Sequence, residues 1–524
     1  MLLKIRHALI EVANAPGAKQ SAIIINNDII ISSGSLIQSC IESTGEKDKG
    51  AEGGSAAGII SSLQQCELVK VQDEDNEACK YLRSLTYLVT FDRQRPQLNA
   101  TNQSSPTLIP VNQSKQRQHI LTRYSARPLY VFCAAEVSRN LHRILLNADS
   151  QDANAILRSS FILLSMRPST ESTESFQRFL DNIANYLRYL HSIHTLDDVL
   201  VMCSPFGLEN FYKTISIGKV SNVMGRGACL FSLSNALPLG CEGSAVFNNK
   251  LRLIGIVICT SFQRQQENVN LTLAANFGYL FKNFMDQLGI PIASFNLPRD
   301  STNFPWERTI VVIQSQGQQG TGTFIKVRNK RFILTCGHVV GQVNSQVICR
   351  AADREFQADV IWSNPEDNRP YDLALLTAPD DVPERHCVRL ARQRATLGQT
   401  VYNAGFPYFV NFNFKYDFNP SIFQGRIIKC DTGAIMSDGS VQAGQSGGPM
   451  FDQNGYMIGV CVSNIKVDDM IYPNINTAIP ICDIRFTLHE FAKTNDVKIL
   501  NNLVASQDVH RVWSLEMPPI QSKL

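Results

Sequence analysis

Residues 240–247 read GCEGSAVF and lead into NNKLRLIGIVI; residues 444–451 read GQSGGPMF and lead into DQNGYMIGVCV. A glycine-bounded turn that feeds an apolar strand therefore occurs twice, 204 residues apart (446 − 242 = 204). Self-similarity of this kind predicts two halves that fold alike. At 524 residues the chain also exceeds what one hydrophobic core holds, which again calls for two or three domains. The two copies differ where it matters chemically: the second has Ser446 where the first has Glu242.

The second half is the more regular. From about residue 310, short runs rich in β-branched and aromatic residues (TIVVIQS, GTFIKV, RFILTC, QVICRA, DLALLTA, YMIGVCVS) alternate with turn signals. This pattern predicts an all-β sandwich or a pair of barrels. A helical period follows at 481–493, with Ile484, Leu488 and Phe491 on one face. The first half shows strand-like runs at 22–31, 161–165, 199–202 and 253–259, and an amphipathic helix over 174–192. Polar stretches near 41–66 and 93–119 read as surface inserts. A linker is expected over 296–309, where NLPRDSTNFPW carries two prolines.

Three segments of the second half hold the parts of an acyl-transfer site. GQSGGP sets Ser446 in a tight turn that exposes its hydroxyl and lets the Gly444 and Ser446 N–H groups converge on an oxyanion. LTCGHVV puts His338 just past an apolar strand, placed to serve as the base a serine needs near neutrality. RPYDLALLTA puts Asp372 at the head of a buried strand, where a carboxylate orients an imidazole. The chain order is His338, Asp372, Ser446.

On GQSGGP, LTCGHVV and YDLALL, residues 310–495 resemble the chymotrypsin-like serine proteases. The short spacings and the NTAIPI run at 476–481 are similar to the compact Deg/HtrA type. The resemblance implies a double β-barrel over 310–510 and the triad roles just given. It also implies Ser440 at the floor of the primary pocket, and Val462, Ser463 and Asn464 as the strand edge that pairs with substrate. Ser440 offers no counter-ion for Arg or Lys, so a small or apolar residue before the cut is expected. Gln445 stands where secreted relatives have an aspartate, and Cys336 has no evident disulfide partner.

Position by position, Phe247 against Phe451 sets Glu242 opposite Ser446 and Gly240 opposite Gly444. SSFILL against YDLALL sets Ser160 opposite Asp372, and NDIIISSGSLI against RFILTCGHVV sets Ser35 opposite His338. Residues 1–295 thus read as a degenerate, inactive copy. Its 35–160 interval exceeds the 338–372 interval by 91 residues (125 − 34 = 91). Cys241 next to the nucleophile position lacks a base to activate it. His191 and His194 have no further ligands, and no metal or cofactor is expected.

A formal charge of +3 with no basic run gives no sign of a nucleic-acid partner, and no apolar stretch suits membrane insertion. Fourteen scattered cysteines, many within apolar runs, fit reduced, buried thiols. The tail 511–524 ends in Ser522, Lys523 and Leu524, a receptor-read peroxisomal address. With that address and the duplicated half, the chain resembles peroxisomal processing proteases. This implies imported matrix proteins as substrates, loss of their targeting presequences, an import receptor as partner, self-cleavage within the first half and a possible homo-oligomer. The alternatives are a Deg/HtrA-type quality-control protease and a non-catalytic scaffold.

Overall fold

A computed structural model describes residues 3–15, 17–45, 68–72, 77–92, 121–145, 153–168, 172–190, 192–264, 267–269, 271–290, 292, 306–315, 318–364, 371–408, 418–467 and 470–513. The described chain is mostly β and forms four closed six-stranded barrels in two pairs. The first barrel uses Ile5–Val12, Lys19–Ile25, Ile29–Ser33, Tyr87–Asp92, Leu121–Cys133 and Ser160–Ser165. The second uses Asp198–Cys203, Thr214–Met224, Leu230–Leu233, Ala245–Asn248, Leu253–Cys259 and Thr272–Asn276. Ile310–Ser315, Gln318–Val327, Lys330–Thr335, Gln346–Arg350, Glu355–Ser363 and Ala374–Thr377 make the third. Thr400–Gly405, Ser421–Asp431, Ala434–Ser437, Pro449–Asp452, Tyr456–Val467 and Met470–Pro480 make the fourth.

Numbered along the chain within each barrel, neighbouring strands run 1-2-3-6-5-4, with strand 4 closing on strand 1, in all four. Closure pairs both edges of every strand in each ring and lets alternate side chains fill each interior; the short strands Val69–Lys70 and Arg389–Leu390 add to the first and fourth barrels. The expected all-β, double-barrel class holds, and the first half has the same architecture as the second.

Several sequence expectations need correction. The run 22–31 is two strands, not one. Asn26 and Asn27 adopt φ of 54° and 75°, the left-handed region that Asn tolerates, and so open the three-residue turn 26–28 between the paired Ile25 and Ile29. The insert expected from residue 41 begins later, because the helix Ser35–Gly45 runs into it. Residues 46–66 of that insert, and all of 93–119, lie outside the described residues. Helices Glu77–Ser84, Ala135–Leu145 and Ala153–Arg158 lie within the longer 35–160 interval of the first half. The helix expected over 174–192 spans Ser172–Leu187. The helix at 481–493 is present as Ile481–Thr494, stopped by Asn495 in the left-handed conformation. The body extends past 510, since helix Gln507–Trp513 buries Val509 and Trp513 Nε1 donates to the Gly433 carbonyl at 3.1 Å. No described helix is long and apolar enough to cross a membrane.

The first pair of barrels is welded by aromatic rings. Phe132 packs on Phe161 and Phe284, and Phe179 on Phe281, between the barrels and helices Ser172–Leu187 and Phe277–Gln287. Each such ring withdraws an apolar side chain from water, a gain of about 2–3 kcal/mol. A polar contact joins the same barrels: His7 Nε2 and Ser204 Oγ hydrogen-bond at 2.7 Å.

Burial, aided by the Lys213 charge, pushes His7 down from 6.5 to about 3, so it stays neutral in the fold. The unfolded chain binds this proton below pH 6.5 and the folded chain does not. The stability linked to His7 is therefore present above pH 6.5 and lost as pH falls from 6.5 toward 3. Replacing it, as in His7→Gln, is expected to flatten that part of the acid limb by up to about 1.4 kcal/mol per pH unit. Urea midpoints across this range check it; an unchanged slope refutes it.

Candidate active site

Asp372 and His338 lie 34 positions apart, and strand pairing brings them together (372 − 338 = 34). Strand Lys330–Thr335 pairs with Ala374–Thr377 so that Thr335 faces Ala374; two residues before Ala374 and three after Thr335 then meet. Asp372 grips the histidine twice. Its Oδ1 accepts from the His338 backbone N–H at 2.9 Å, and its Oδ2 hydrogen-bonds His338 Nδ1. Holding Nδ1 in this way leaves Nε2 as the proton acceptor. Gly337 makes the grip possible, because a Cβ there would sit 2.9 Å from Asp372 Oδ1 and 3.1 Å from Ser363 Oγ.

Ser446 stands on a loop that leads into Pro449–Asp452. Gly444 (φ 96°) and Gly447 (φ 84°) flank it, both in the left-handed region. Neither tolerates a side chain: a Cβ on Gly444 would lie 2.6 Å from the Phe406 carbonyl, and one on Gly447 2.2 Å from the Thr321 carbonyl. Buried Gln445 stiffens the turn, its Oε1 accepting from Gln442 N–H at 2.7 Å and its Nε2 donating to Ser421 O at 3.3 Å. Among the described residues no acceptor takes the N–H of Gly444 or Ser446. Ser446 is half-buried and His338 exposed, so both face accessible space.

The loop is tied to the other barrel by one hydroxyl. Thr321 Oγ1 donates to the Gly444 carbonyl at 2.8 Å and accepts from Phe406 N–H at 2.9 Å, while Thr321 N–H donates to the Ser446 carbonyl at 2.9 Å. Composition and motif spacing did not single Thr321 out, although setting KQSAIII against GTGTFI would have placed it opposite Ser21.

Ser440 is half-buried and its Oγ accepts from Gln442 Nε2 at 2.9 Å. Next to it lies a buried polar cluster absent from the sequence reading. Asn403 Nδ2 donates to Ser437 Oγ and the Gly439 carbonyl, and Ser437 Oγ donates to Asn476 Oδ1 at 2.7 Å. Val462 is buried, and Ser463 and Asn464 pair through their backbone with Thr477 and Asn476. Ser522, Lys523 and Leu524 lie outside the described residues.

Cys336 is buried, with its Sγ donating to the Cys461 carbonyl at 3.5 Å. Ligand atoms of Cys336, His338 and Asp372 lie within 4.8 Å of one another, a cluster no C-x-x-C pattern announces. Burial first, then the Asp372 carboxylate, push this thiol well above its usual range. A metal needs the thiolate, so the group suits a metal poorly. The cysteines are not uniformly buried as expected: Cys430 is exposed.

The first half repeats the frame with other chemistry. Ser32 faces Ile162 as Thr335 faces Ala374, so register puts Ser160 in the place of Asp372 and Ser35 in the place of His338. Ser21 Oγ donates to the Gly240 carbonyl at 3.1 Å and accepts from Ser204 N–H at 2.9 Å, as Thr321 does with Gly444 and Phe406. Glu242 folds back. Its Oε2 accepts from Gly240 N–H at 2.9 Å and its Oε1 from Thr260 Oγ1 at 2.7 Å. The N–H equivalent to that of Gly444 is therefore already taken by a carboxylate.

Thr321→Val keeps the shape and removes the hydroxyl, leaving the Gly444 carbonyl and Phe406 N–H short of a partner. We expect a loss of about 1–3 kcal/mol in stability, read from urea unfolding; a loss below a few tenths would show that the latch is replaceable.

Residues 320–460 match the trypsin-like peptidase domain family. The chain is 26% identical to the human peroxisomal leader peptide-processing protease over 61% of its length and 60% of that protein's. The mouse counterpart matches equally, at 26% over the same shares. A probable periplasmic DegP-like serine endoprotease of Pseudomonas putida (strain W619) is 30% identical over 31% of this chain and 33% of its own. The chain thus spans about 60% of the length of the processing proteases it resembles. Paired barrels of one topology and a histidine gripped by an aspartate thus accompany a match to the trypsin-like peptidase domain over residues 320–460, and the chain is similar to the proteases just named.

Proposed function

We propose that the chain is a peroxisomal serine endopeptidase that trims imported matrix proteins. The observation that carries the chemistry is Asp372 holding both the ring and the backbone of His338, together with unclaimed N–H groups on Gly444 and Ser446. Ser446 Oγ attacks the scissile carbonyl while His338 Nε2 takes its proton. Asp372 stabilises the resulting imidazolium. The oxyanion is received by the N–H groups of Gly444 and Ser446, an arrangement whose loss typically costs 10²–10³-fold in rate. The imidazolium then protonates the leaving amine, and water, deprotonated by His338, hydrolyses the acyl-serine and regenerates the hydroxyl.

The similarity to leader peptide-processing proteases covers 61% of the chain, against 31% for the DegP-like relative. That difference supports processing of presequences over quality control. Import through Ser522, Lys523 and Leu524 and self-cleavage between Cys40 and Cys66 are part of this reading. The first half, with Ser35, Ser160 and Glu242, is on this reading without catalytic power of its own.

A fluorophosphonate probe is expected to label the wild-type chain once, to lose all labelling in Ser446→Ala, and to gain no second site in Glu242→Ser. In parallel, peroxisomal protein N-termini should be longer in cells carrying Ser446→Ala; unchanged termini with active enzyme would reject the processing role.

Neutral Ser440 at the expected pocket floor disfavours basic residues before the cut. Peptides varied at that position should be cleaved faster with cysteine or small apolar residues than with Arg or Lys, and a tenfold preference for Arg or Lys would overturn the assignment.

A further inference from the structure

The two halves touch through their second-barrel and fourth-barrel strands Thr214–Met224 and Ser421–Asp431. At that contact the Asn222 side chain, fully buried, donates from Nδ2 to Ser421 Oγ at 2.9 Å and to the Asn419 carbonyl at 3.1 Å. A carbonyl only accepts, so the amide end of Asn222 must face this way. Asn419 returns the bond, its Nδ2 donating to the Val223 carbonyl at 3.2 Å. Asn222 Oδ1 has no partner within the described structure, so the side chain is held by its donor end.

Ser421 is the next link. Its hydroxyl takes the bond from the first half, and its carbonyl takes one from Gln445 Nε2 at 3.3 Å. Gln445 immediately precedes Ser446 and follows Gly444, and its Oε1 closes the turn on Gln442 N–H. Asn222, Ser421 and Gln445 are each at most 1% exposed. A buried line of hydrogen bonds therefore runs from the inactive half to the loop that carries the nucleophile. It has no mirror image. The residue of the first half that matches Ser421 is Thr214, since Cys203 faces Thr214 as Gly405 faces Ser421. Thr214 is exposed, and Cys241 stands where Gln445 would be.

We infer that Asn222 is a positioning residue: through Ser421 and Gln445 the first half holds the 442–447 loop in the shape that presents the Gly444 and Ser446 N–H groups. The inference rests on Ser446 being the nucleophile. It gives the inactive half a defined role in the chemistry of the active one, acting through geometry rather than through contact with substrate.

The test uses the full-length chain and the rate at which a fluorophosphonate labels Ser446, since the phosphonyl oxygen of the adduct sits where the oxyanion does. In Asn222→Ala the plateau rate should fall on the order of tenfold, because small misplacements of a reacting group cost rate steeply. The pH midpoint of labelling should not move, because the His338–Asp372 pair is untouched. Ser421→Ala, which removes only the accepting hydroxyl, should fall in the same direction and serves if Asn222→Ala does not fold. Asn419→Ala keeps its carbonyl for Asn222 and should label within about twofold of wild type. Wild-type rates in both Asn222→Ala and Ser421→Ala overturn the relay alone, as does an equal fall in all three variants. A wild-type chain that is not labelled at Ser446 overturns the relay together with the nucleophile assignment.

Discussion

One hydroxyl in each half governs how its barrels meet. Thr321 in the third barrel and Ser21 in the first sit on the second strand, and each spans the gap to the neighbouring barrel by donating to a loop glycine carbonyl and accepting a backbone N–H. A second hydroxyl backs each one: Thr335 Oγ1 donates to the Thr321 carbonyl at 2.7 Å, and Ser32 Oγ to the Ser21 carbonyl at 3.0 Å. These bonds are buried, where an unmet donor or acceptor costs about 1–3 kcal/mol, so the loops cannot drift apart from the barrels cheaply. Gly447 and Gly243 then press against the same carbonyls, with φ of 84° and 81°. The joint also carries the candidate site: Ser446 comes from one barrel, His338 and Asp372 from the other, and Thr321 N–H ties the Ser446 carbonyl to the barrel of His338.

That the first half keeps the latch without the triad separates what the fold requires from what the chemistry requires. Glycines 240 and 243 persist because a Cβ at either would strike backbone at 2.2–2.4 Å, whatever the loop does. The triad positions carry no such constraint. Serine at 160 turns its hydroxyl to the Ile156 and Leu157 carbonyls, and Ser35 bonds Gln20. Glu242 goes further and uses its carboxylate to satisfy an N–H that the second half leaves open. A charge-assisted bond of this kind is stronger than a neutral one, so the loop of the first half fills an N–H that the loop of the second leaves open.

Much of this was legible in the sequence because glycines with steric duties leave an imprint. GCEGSAVF against GQSGGPMF carries Glu242, SSFILL against YDLALL carries Ser160, and NDIIISSGSLI against RFILTCGHVV carries Ser35 to positions the strand registers also give them. Hydrophobic alternation gave the barrels of the second half. It misjudged the first, where Asn26 and Asn27 hide a tight turn inside an apolar run and helix Ser35–Gly45 runs into chain that read as polar insert. The polar groups that matter between barrels and between halves were not legible. Thr321, Asn403, Asn476 and Asn222 are single residues of ordinary type, and their burial depends on partners distant in sequence.

The asymmetry between the halves has a physical consequence for how such a duplicated chain works. A loop that leaves two N–H groups unpaired gives up bonds that would otherwise fix its shape. The lost rigidity has to come from the other backbone and side-chain groups of the same loop. In the second half they are held from three sides: by Thr321 at Gly444, by Cys461, whose carbonyl accepts from Gly447 N–H at 2.7 Å, and by Ser421 at Gln445. The first two have counterparts in the first half, where Ser21 serves Gly240 and Val257 serves Gly243. The third does not, and it is the one that reaches across to Asn222. A half whose own loop is closed by Glu242 can lend rigidity without needing any, which is a physical reason for the two halves to stay packed together.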